Sequence, residues 1–226
     1  MEDNRIGIIY CPQGRARKKW SKVQALLDEN KAAYDFVQSE SAEGVERLAA
    51  MMTTNGYRTI VVMGGDSALN RALRGILSVQ PQPDVALGVI PGGVANDFAR
   101  YWGLADDDYK KCVDTILARR LRRVDMGVLT DANGQERPFL NCANVGLASR
   151  IISVRHAARR FGVLRWIVSC LMLLFQRMAG KMLVRVNTDR VERSVMNLCI
   201  GSAHGYGLTP KAVPYSGLSD VSVLLR

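Results

Sequence analysis

The chain has 226 residues, 48% of them hydrophobic, and a formal net charge of +10. That describes an ordinary globular protein of one large or two small domains. The charge calls for an anionic partner, whether nucleotide, nucleic acid or acidic membrane surface, without choosing among them.

Met1 to Arg5 is partly acidic and runs straight into a strand, so no signal peptide is expected. Arg5 to Tyr10 is predicted as a buried first strand, and Cys11 to Gly14 as a turn. Residues 17 to 29 follow with helical periodicity, and 34 to 38 form a short second strand. Ser39 and Ser41 are two possible N-caps for a helix carrying Val45, Leu48, Ala49 and Met52, which stops at Asn55-Gly56. Arg58 to Met63 and Val85 to Ile90 are the next strands, each leading through paired glycines into a helix, with a further helix over 106 to 119. This alternation predicts a parallel sheet flanked by helices over a first domain, residues 1 to 121.

The pattern changes near Arg122. Residues 123 to 130 alternate, Asn133-Gly134 is a hairpin signal, and 137 to 145 is the returning strand. Residues 147 to 178 are predicted helical, and 181 to 187 with 191 to 202 form a second hairpin around Thr188-Asp189-Arg190. A loop over 203 to 217 and a strand over 218 to 225 complete a β-rich, mostly antiparallel second domain, residues 122 to 226. The fold class is therefore α/β with a second, β-rich unit.

Trp166 to Phe175 is apolar on every helical face yet short of the ~20 residues a membrane span needs. It is either a helix buried between the domains or a wall for an acyl chain or shallow membrane contact. Arg155, Arg159, Arg160 and Arg165 before it would suit anionic headgroups, or equally a solvated face. The five cysteines, Cys11, Cys112, Cys142, Cys170 and Cys199, are scattered, odd in number and without metal spacing, as expected of reduced thiols in a cytoplasmic protein. His156 and His204, the only histidines, have no triad-like order around them and are expected at the surface.

The two glycine turns carry the chemistry. The first is Gly64-Gly65-Asp66-Ser67 and the second Pro91-Gly92-Gly93-Val94-Ala95-Asn96-Asp97. Paired glycines permit φ > 0 and leave no Cβ between the amides and a ligand, and a helix N-terminus behind them favours phosphate. One such turn would be ordinary strand-to-helix punctuation. Two at neighbouring strand ends, each with an aspartate, favour a nucleotide site at the carboxyl edge of the sheet. Neither has the spacing of a dinucleotide fingerprint or of a Walker A loop. Nothing but the charge supports a nucleic-acid partner, since no stacking platform, zinc spacing or recognition helix accompanies it.

Val61 to Asn70 resembles the G-G-D-G-T-x-N signature of the diacylglycerol kinase catalytic domain, and Pro91 to Arg100 resembles its P-x-G-T-x-N-D-F-A-R segment. That superfamily includes bacterial lipid kinases, sphingosine kinases and, more distantly, NAD kinases. Cys11-Pro12 is similar to the family's N-P, Ser39 stands where a phosphate-contacting Thr is usual, and Val124-Asp125-Met126-Gly127 with Phe139-Leu140-Asn141 and Gly146 resembles the entry into its second domain. The resemblance implies a Rossmann-like first domain, ATP in the cleft between the domains, and transfer of the γ-phosphate to the hydroxyl of a lipid alcohol such as diacylglycerol. It implies phosphates held by Ser39, Gly64, Gly65, Asp66, Ser67, Asn70, Gly92, Gly93, Val94, Asn96 and Asp97, with Asp66 facing them through Mg²⁺ or a positioned water. A lipid substrate at a membrane surface, anionic membrane contact and a peripheral place at the inner face follow from the same resemblance, as does a part in phospholipid metabolism. No signature of oligomeric state is present.

Several positions depart from the family pattern. Ser67 replaces a glycine, at a cost of about 1 kcal/mol if the position needs φ > 0. Ala68 and Val94 each replace a threonine, Arg71 a glutamate, and Ser216 the aspartate of a D-G-x-L segment that binds Mg²⁺ in some members. The family's late D-G-E motif, with its catalytic carboxylate, has no counterpart before Arg226. These departures motivate the alternative of a pseudokinase that binds nucleotide or lipid without turnover.

Overall fold

The computed structural model describes residues 5–11, 16–81, 84–104, 106–157, 167–168, 179–204 and 208–226. Four strands, β1 (Ile6–Tyr10), β2 (Tyr34–Gln38), β3 (Thr59–Gly64) and β4 (Ala86–Pro91), form one parallel sheet in the order β2-β1-β3-β4. Parallel strands need crossovers, and α1 (Ala16–Glu29), α2 (Ala42–Thr54) and α3 (Asp66–Leu77) supply them. Alternate side chains of β1 and β3 divide between two cores. Ile6, Ile8, Tyr10, Val61 and Met63 pack with Trp20, Val23 and Leu27 of α1 and with Tyr109, Cys112 and Val113 of α5 (Tyr109–Leu117). Ile9, Ile60 and Val62 pack with Val45, Ala49 and Met52 of α2 and Ala72 and Ile76 of α3. Burial on both faces is why these strands read as unbroken apolar runs.

Helix α2 starts at Ser41, whose hydroxyl accepts from Gly44 N–H (3.0 Å). It ends at Asn55, with Gly56 at φ +86° beyond. Its contact with α3 depends on one glycine: a Cβ on Gly75 would lie 2.1 Å from the Glu46 carbonyl oxygen. Gly75→Ala gains about 1 kcal/mol of helix propensity and loses more to overpacking. The net expectation is about 2 kcal/mol of destabilisation, read in thermal denaturation as a drop of roughly 4–8 °C.

The second half of the chain holds β5 (Gly127–Thr130), β6 (Glu136–Phe139), β7 (Cys142–Gly146), α6 (Leu147–Ala157), β8 (Gly180–Val186), β9 (Asp189–Gly201) and β10 (Asp220–Leu225). β5 and β6 make a two-stranded antiparallel ribbon, while β10, β9 and β7 form a second antiparallel sheet with β8 also paired to β9. The short helix α4 (Asp97–Tyr101) follows β4. Phe98 of α4, Leu69 of α3, Leu140 and Ala203 form a third buried cluster, which joins the two halves.

Several elements differ from the sequence expectation, among them the last strand, expected from 218 and observed from Asp220. The strand expected over 137–145 is two strands in different sheets, broken at Leu140-Asn141. There the Leu140 N–H donates to Asn70 Oδ1 (2.7 Å) and the Asn141 carbonyl accepts from the N–H groups of Ser202 and Ala203 (3.0 and 3.1 Å). The strand expected from 123 begins at Gly127, since Asp125 N–H leaves for the Pro214 carbonyl (2.7 Å). The helix expected from 106 begins at Tyr109, where the Asp108 carboxylate accepts from Lys111 N–H (3.1 Å). The β8–β9 turn is Asn187-Thr188, with Asn187 at φ 53°, so Asp189 and Arg190 of the expected turn belong to β9. Of the helix expected over 147–178, α6 and residues 167–168 are described; most of the apolar stretch Trp166 to Phe175 lies outside the described residues. Among the described residues no helix is long and apolar enough to cross a membrane.

Candidate functional site

Strands β3 and β4 end side by side. Gly64 pairs with Pro91 as the last rung of their ladder, and the Gly92 N–H donates to the Gly64 carbonyl (2.9 Å). The two glycine turns therefore touch: a Cβ on Gly93 would lie 2.5 Å from Gly65 Cα, and one on Gly64 would lie 2.9 Å from Ala68 Cβ. Close approach, not φ, is what glycine serves here. Positive φ occurs in other glycines of the described residues, Gly56, Gly103, Gly134, Gly146 and Gly217.

Ser67 is not strained either. It is exposed, in the first turn of α3, and absent from the non-glycine residues with positive φ. Because α3 begins at Asp66, residue 67 takes ordinary helical dihedrals, and the cost that a positive φ would have brought at Ser67 does not arise. Accordingly, Ser67→Gly should cost only about 0.5 kcal/mol of stability, the difference in helix propensity, read in thermal denaturation.

Asp66 is the hub. Its Oδ2 accepts from Asp97 N–H (3.0 Å), and its Oδ1 accepts from Phe98 N–H (3.0 Å) and Asn141 Nδ2 (3.0 Å). One carboxylate thus takes the first amides of α4 and reaches the second half of the chain. Asn70, one turn further along α3, does likewise: Nδ2 donates to Asp66 O (3.0 Å) while Oδ1 accepts from Leu140 N–H. Asn96 is buried in the left-handed conformation (φ 52°, ψ 40°), which costs about 1 kcal/mol even for asparagine. Three hydrogen bonds hold it: Oδ1 accepts from Gly93 N–H (2.9 Å), and Nδ2 donates to Gly93 O (3.2 Å) and Asp106 Oδ1 (2.7 Å).

The remaining predicted residues divide. Val94 stands 84% exposed at the tip of the second turn, an apolar side chain in water. Ser39 is buried and its hydroxyl donates to Ser41 O (2.6 Å), within its own loop. β1 separates it from the glycine turns. Arg71 turns away from the site to Glu43 (2.9 Å) and Glu46 (3.7 Å) of α2. Ser216 closes its loop by donating to Val213 O (2.9 Å) and accepting from Leu218 N–H (3.3 Å), while Asp125 Oδ2 accepts from Gly217 N–H (2.7 Å).

A cavity of about 480 Å³ opens beside α4, lined by Asp97, Arg100, Tyr101, His204, Thr209 and Pro210. Arg100 Nη2 meets Asp106 Oδ2 at 2.7 Å, and this bond, then the charges of Asp106, Asp97 and Asp66, raise the guanidinium pKa further. Of the lining residues, Tyr101 packs edge-on against Trp102 and His204; separately, Arg122 lies 4.4 Å from the centroid of the Tyr215 ring. Among the described residues no group of three His, Cys, Asp or Glu side chains could by itself hold a metal.

Sequence reasoning did not assign Asn141, Tyr101, His204 or Thr209 to the site. Asn141 carries a usable signal, a lone amide inside the apolar run Phe139 to Ala143, because a buried amide requires partners. Its Nδ2 has one, whereas its buried Oδ1 has none among the described residues. The cavity-lining residues come from distant parts of the chain and carry no local signal.

The family model of the diacylglycerol kinase catalytic domain matches residues 7–129, which include both glycine turns. A diacylglycerol kinase of Mycobacterium tuberculosis is 28% identical over 189 residues, covering 80% of this chain and 60% of the relative. One from Bacillus subtilis is 32% identical over 145 residues, covering 63% of this chain and 46% of the relative. The chain thus spans about half to 60% of the length of these relatives. In fold it is similar to a diacylglycerol kinase from Bacillus anthracis, with a TM-score of 0.70 at 19% identity, covering 98% of this chain and 74% of that one. With a match over more than half its length, centred on turns that lock together through Asp66, the chain belongs to the diacylglycerol kinase catalytic-domain family.

Proposed function

We propose that this protein transfers the γ-phosphate of ATP to the hydroxyl of a lipid alcohol. The observation that carries the reading is the pair of abutting glycine turns, held together by Asp66 and Asn96 at the carboxyl edge of the parallel sheet. Phosphoryl transfer asks a protein chiefly for positioning and charge neutralisation. The N-terminus of α3 presents amides and the positive end of its dipole, at a backbone surface with no Cβ at Gly64 or Gly65. Residues 1–121 would hold the nucleotide, and residues 122–226 would present the lipid.

Mg²⁺ fits this site as an ion carried in on the phosphates, which typically needs only one or two protein carboxylates. Two acceptors support the fit. A carboxylate offers about four lone-pair sites, of which the three N–H groups on Asp66 leave one, on Oδ2. The buried Asn141 Oδ1 has no donor among the described residues, and a metal-bound water would supply one. Bound there, Mg²⁺ would offset charge on the phosphates. The chain's own part is to hold the turns at fixed distance and exclude movement of α4. The basic surface favours an anionic membrane, bringing the protein to a lipid substrate at the interface.

Val94 and Ser216 favour the second reading, a nucleotide- or lipid-binding member without turnover, because neither supplies the group expected at its position. Labelled ATP and mixed lipid vesicles separate the two. Transfer of label to a lipid by the full-length protein is the expected result. Saturable Mg-ATP binding with no label in any lipid pool would overturn the kinase reading in favour of the second.

A further inference from the structure

Residues 118 to 123 are exposed without a break, and Arg119-Arg120-Leu121-Arg122-Arg123 sets one leucine among four arginines. The loop after Thr209 lies against them. Asp125 N–H donates to Pro214 O and Gly217 N–H donates to Asp125 Oδ2, both at 2.7 Å. The Arg122 guanidinium sits 4.4 Å from the centroid of the Tyr215 ring. The two segments thus form one ridge. We infer that this ridge docks the protein on an anionic lipid bilayer, with its arginines at the headgroups and Leu121 and Leu218 inserted among the acyl chains. Such docking rests on the kinase reading above, with its lipid substrate at an interface, and names the face that meets it.

Apolar exposure and charge single this ridge out. Leu218 is 73% and Leu121 64% exposed, two of the three most exposed large apolar side chains among the described residues, and Tyr215 and Met126 are exposed beside them. Isolated exposed leucines are ordinary, whereas a cluster of them marks a surface that meets a partner. Arg120 and Arg123 have no carboxylate partner among the described residues. Of the acidic residues nearest in sequence, Asp125 and Asp220 accept from the N–H groups of Gly217 and Lys211, and Asp114 lies back in α5. Outside the described residues only Glu2 and Asp3 are acidic. Nucleic acid would use the arginines and leave both leucines in water. An apolar protein groove would use the leucines and leave the arginines unmatched. An anionic bilayer takes both at once, and a tyrosine suits the boundary between headgroup and chain. Tyr215 also packs on Trp102 (centroids 6.0 Å apart), next to Tyr101 of the cavity lining, so the ridge adjoins the cavity beside α4.

Flotation of the full-length protein with lipid vesicles, in the absence of ATP, tests the ridge. Vesicles of phosphatidylcholine and phosphatidylglycerol in equal parts are expected to bind it, and vesicles of phosphatidylcholine alone at least about tenfold more weakly. Arg120→Ala with Arg123→Ala should weaken binding to the mixed vesicles about 25-fold, at about fivefold for each arginine. Leu121→Ser with Leu218→Ser should weaken it at least about tenfold. Arg120→Lys with Arg123→Lys keeps the charge and should stay within about twofold of the unaltered protein. All four side chains are exposed, so these substitutions should leave the melting temperature in place. Equal binding to both kinds of vesicle, or binding to neither, would overturn the inference. So would ridge variants that bind as the unaltered protein does, which would move the contact to another face, or retention on duplex DNA without retention on vesicles. Label transfer from ATP to a water-soluble short-chain diacylglycerol separates docking from the kinase reading. Transfer, with ridge variants still bound to vesicles, would remove the docking and keep the kinase. Loss of vesicle binding in the variants, with no transfer by any form, would do the reverse.

Discussion

Replacing Asp66 by alanine is expected to lower stability by about 3 kcal/mol and Mg-ATP affinity by about 100-fold. Three N–H groups lose their acceptor at once: those of Asp97, Phe98 and the Asn141 side chain. Each orphaned buried donor costs about 1–3 kcal/mol, and the lower end applies because Asp66 is half-buried and water can reach some of them. Phe98 and Asn141 are buried, so theirs are the harder losses. Thermal denaturation should show a drop of roughly 6–12 °C for a chain of this size. Asp66→Asn separates geometry from charge. It keeps one oxygen acceptor but turns an NH₂ group toward N–H donors, so it should recover part of the stability and little of the affinity. A purely metal-facing Asp66 predicts otherwise: the same loss of Mg-ATP affinity, with the ligand-free melting temperature unchanged. That outcome would refute the bracing role that the hydrogen bonds assign to it.

How much of this was legible in the sequence follows the range of the interactions involved. β1 and β3 were readable because burial on both faces leaves apolar runs rich in β-branched residues, Ile6, Ile8 and Ile9 in one and Ile60 to Val62 in the other. The start of α2 could be narrowed to Ser39 or Ser41, since a cap is a contact over three residues. The glycine turns were readable as a pair, but not the reason for their glycines. Backbone approach between Gly65 and Gly93 is a contact across the sheet edge, and sequence shows only the permissive residue type. The break at Leu140-Asn141 was hidden for the same reason. Its causes, Asn70 and Ser202, lie 70 and 61 residues away from the Leu140 N–H and the Asn141 carbonyl they engage (140 − 70 and 202 − 141). Asp66 stands out in the sequence by its motif, while its hydrogen bonds to Phe98 and Asn141 emerged only with the fold. Local rules carried the elements, and tertiary contacts decided which side chains meet.

Gly93→Ala should disable the site while leaving the fold standing, and it is the sharper test of how the two turns work. The added Cβ would sit 2.5 Å from Gly65 Cα, 2.9 Å from Asn96 Oδ1 and 3.1 Å from Gly65 N. Ordinary carbon contacts are about 3.5–4.0 Å, so the turns must separate by about 1 Å. Two of the three contacts are Gly65 backbone, and the third is the Asn96 amide, itself held by three hydrogen bonds. The first bond lost is Gly93 N–H to Asn96 Oδ1, and with it part of what holds Asn96 in its left-handed conformation. The amides of Asp97 and Phe98 follow directly in the chain, so their registration on Asp66 shifts too. A misplacement of about 1 Å is worth about 100-fold in rate or affinity. Behind the turns, Ile60 to Met63 and Ile90 are fully buried, so the strands resist and the overpacking should cost no more than about 1–3 kcal/mol. Two controls fix the interpretation. Gly65→Ala meets its nearest neighbour at 3.1 Å and should be the milder lesion of the pair. Gly75→Ala is comparably destabilising but lies between α2 and α3, so it should lower the melting temperature and leave Mg-ATP affinity within about twofold. If Gly93→Ala and Gly75→Ala lost affinity equally, the loss would reflect general instability, and the abutting turns would have no special part in holding phosphate.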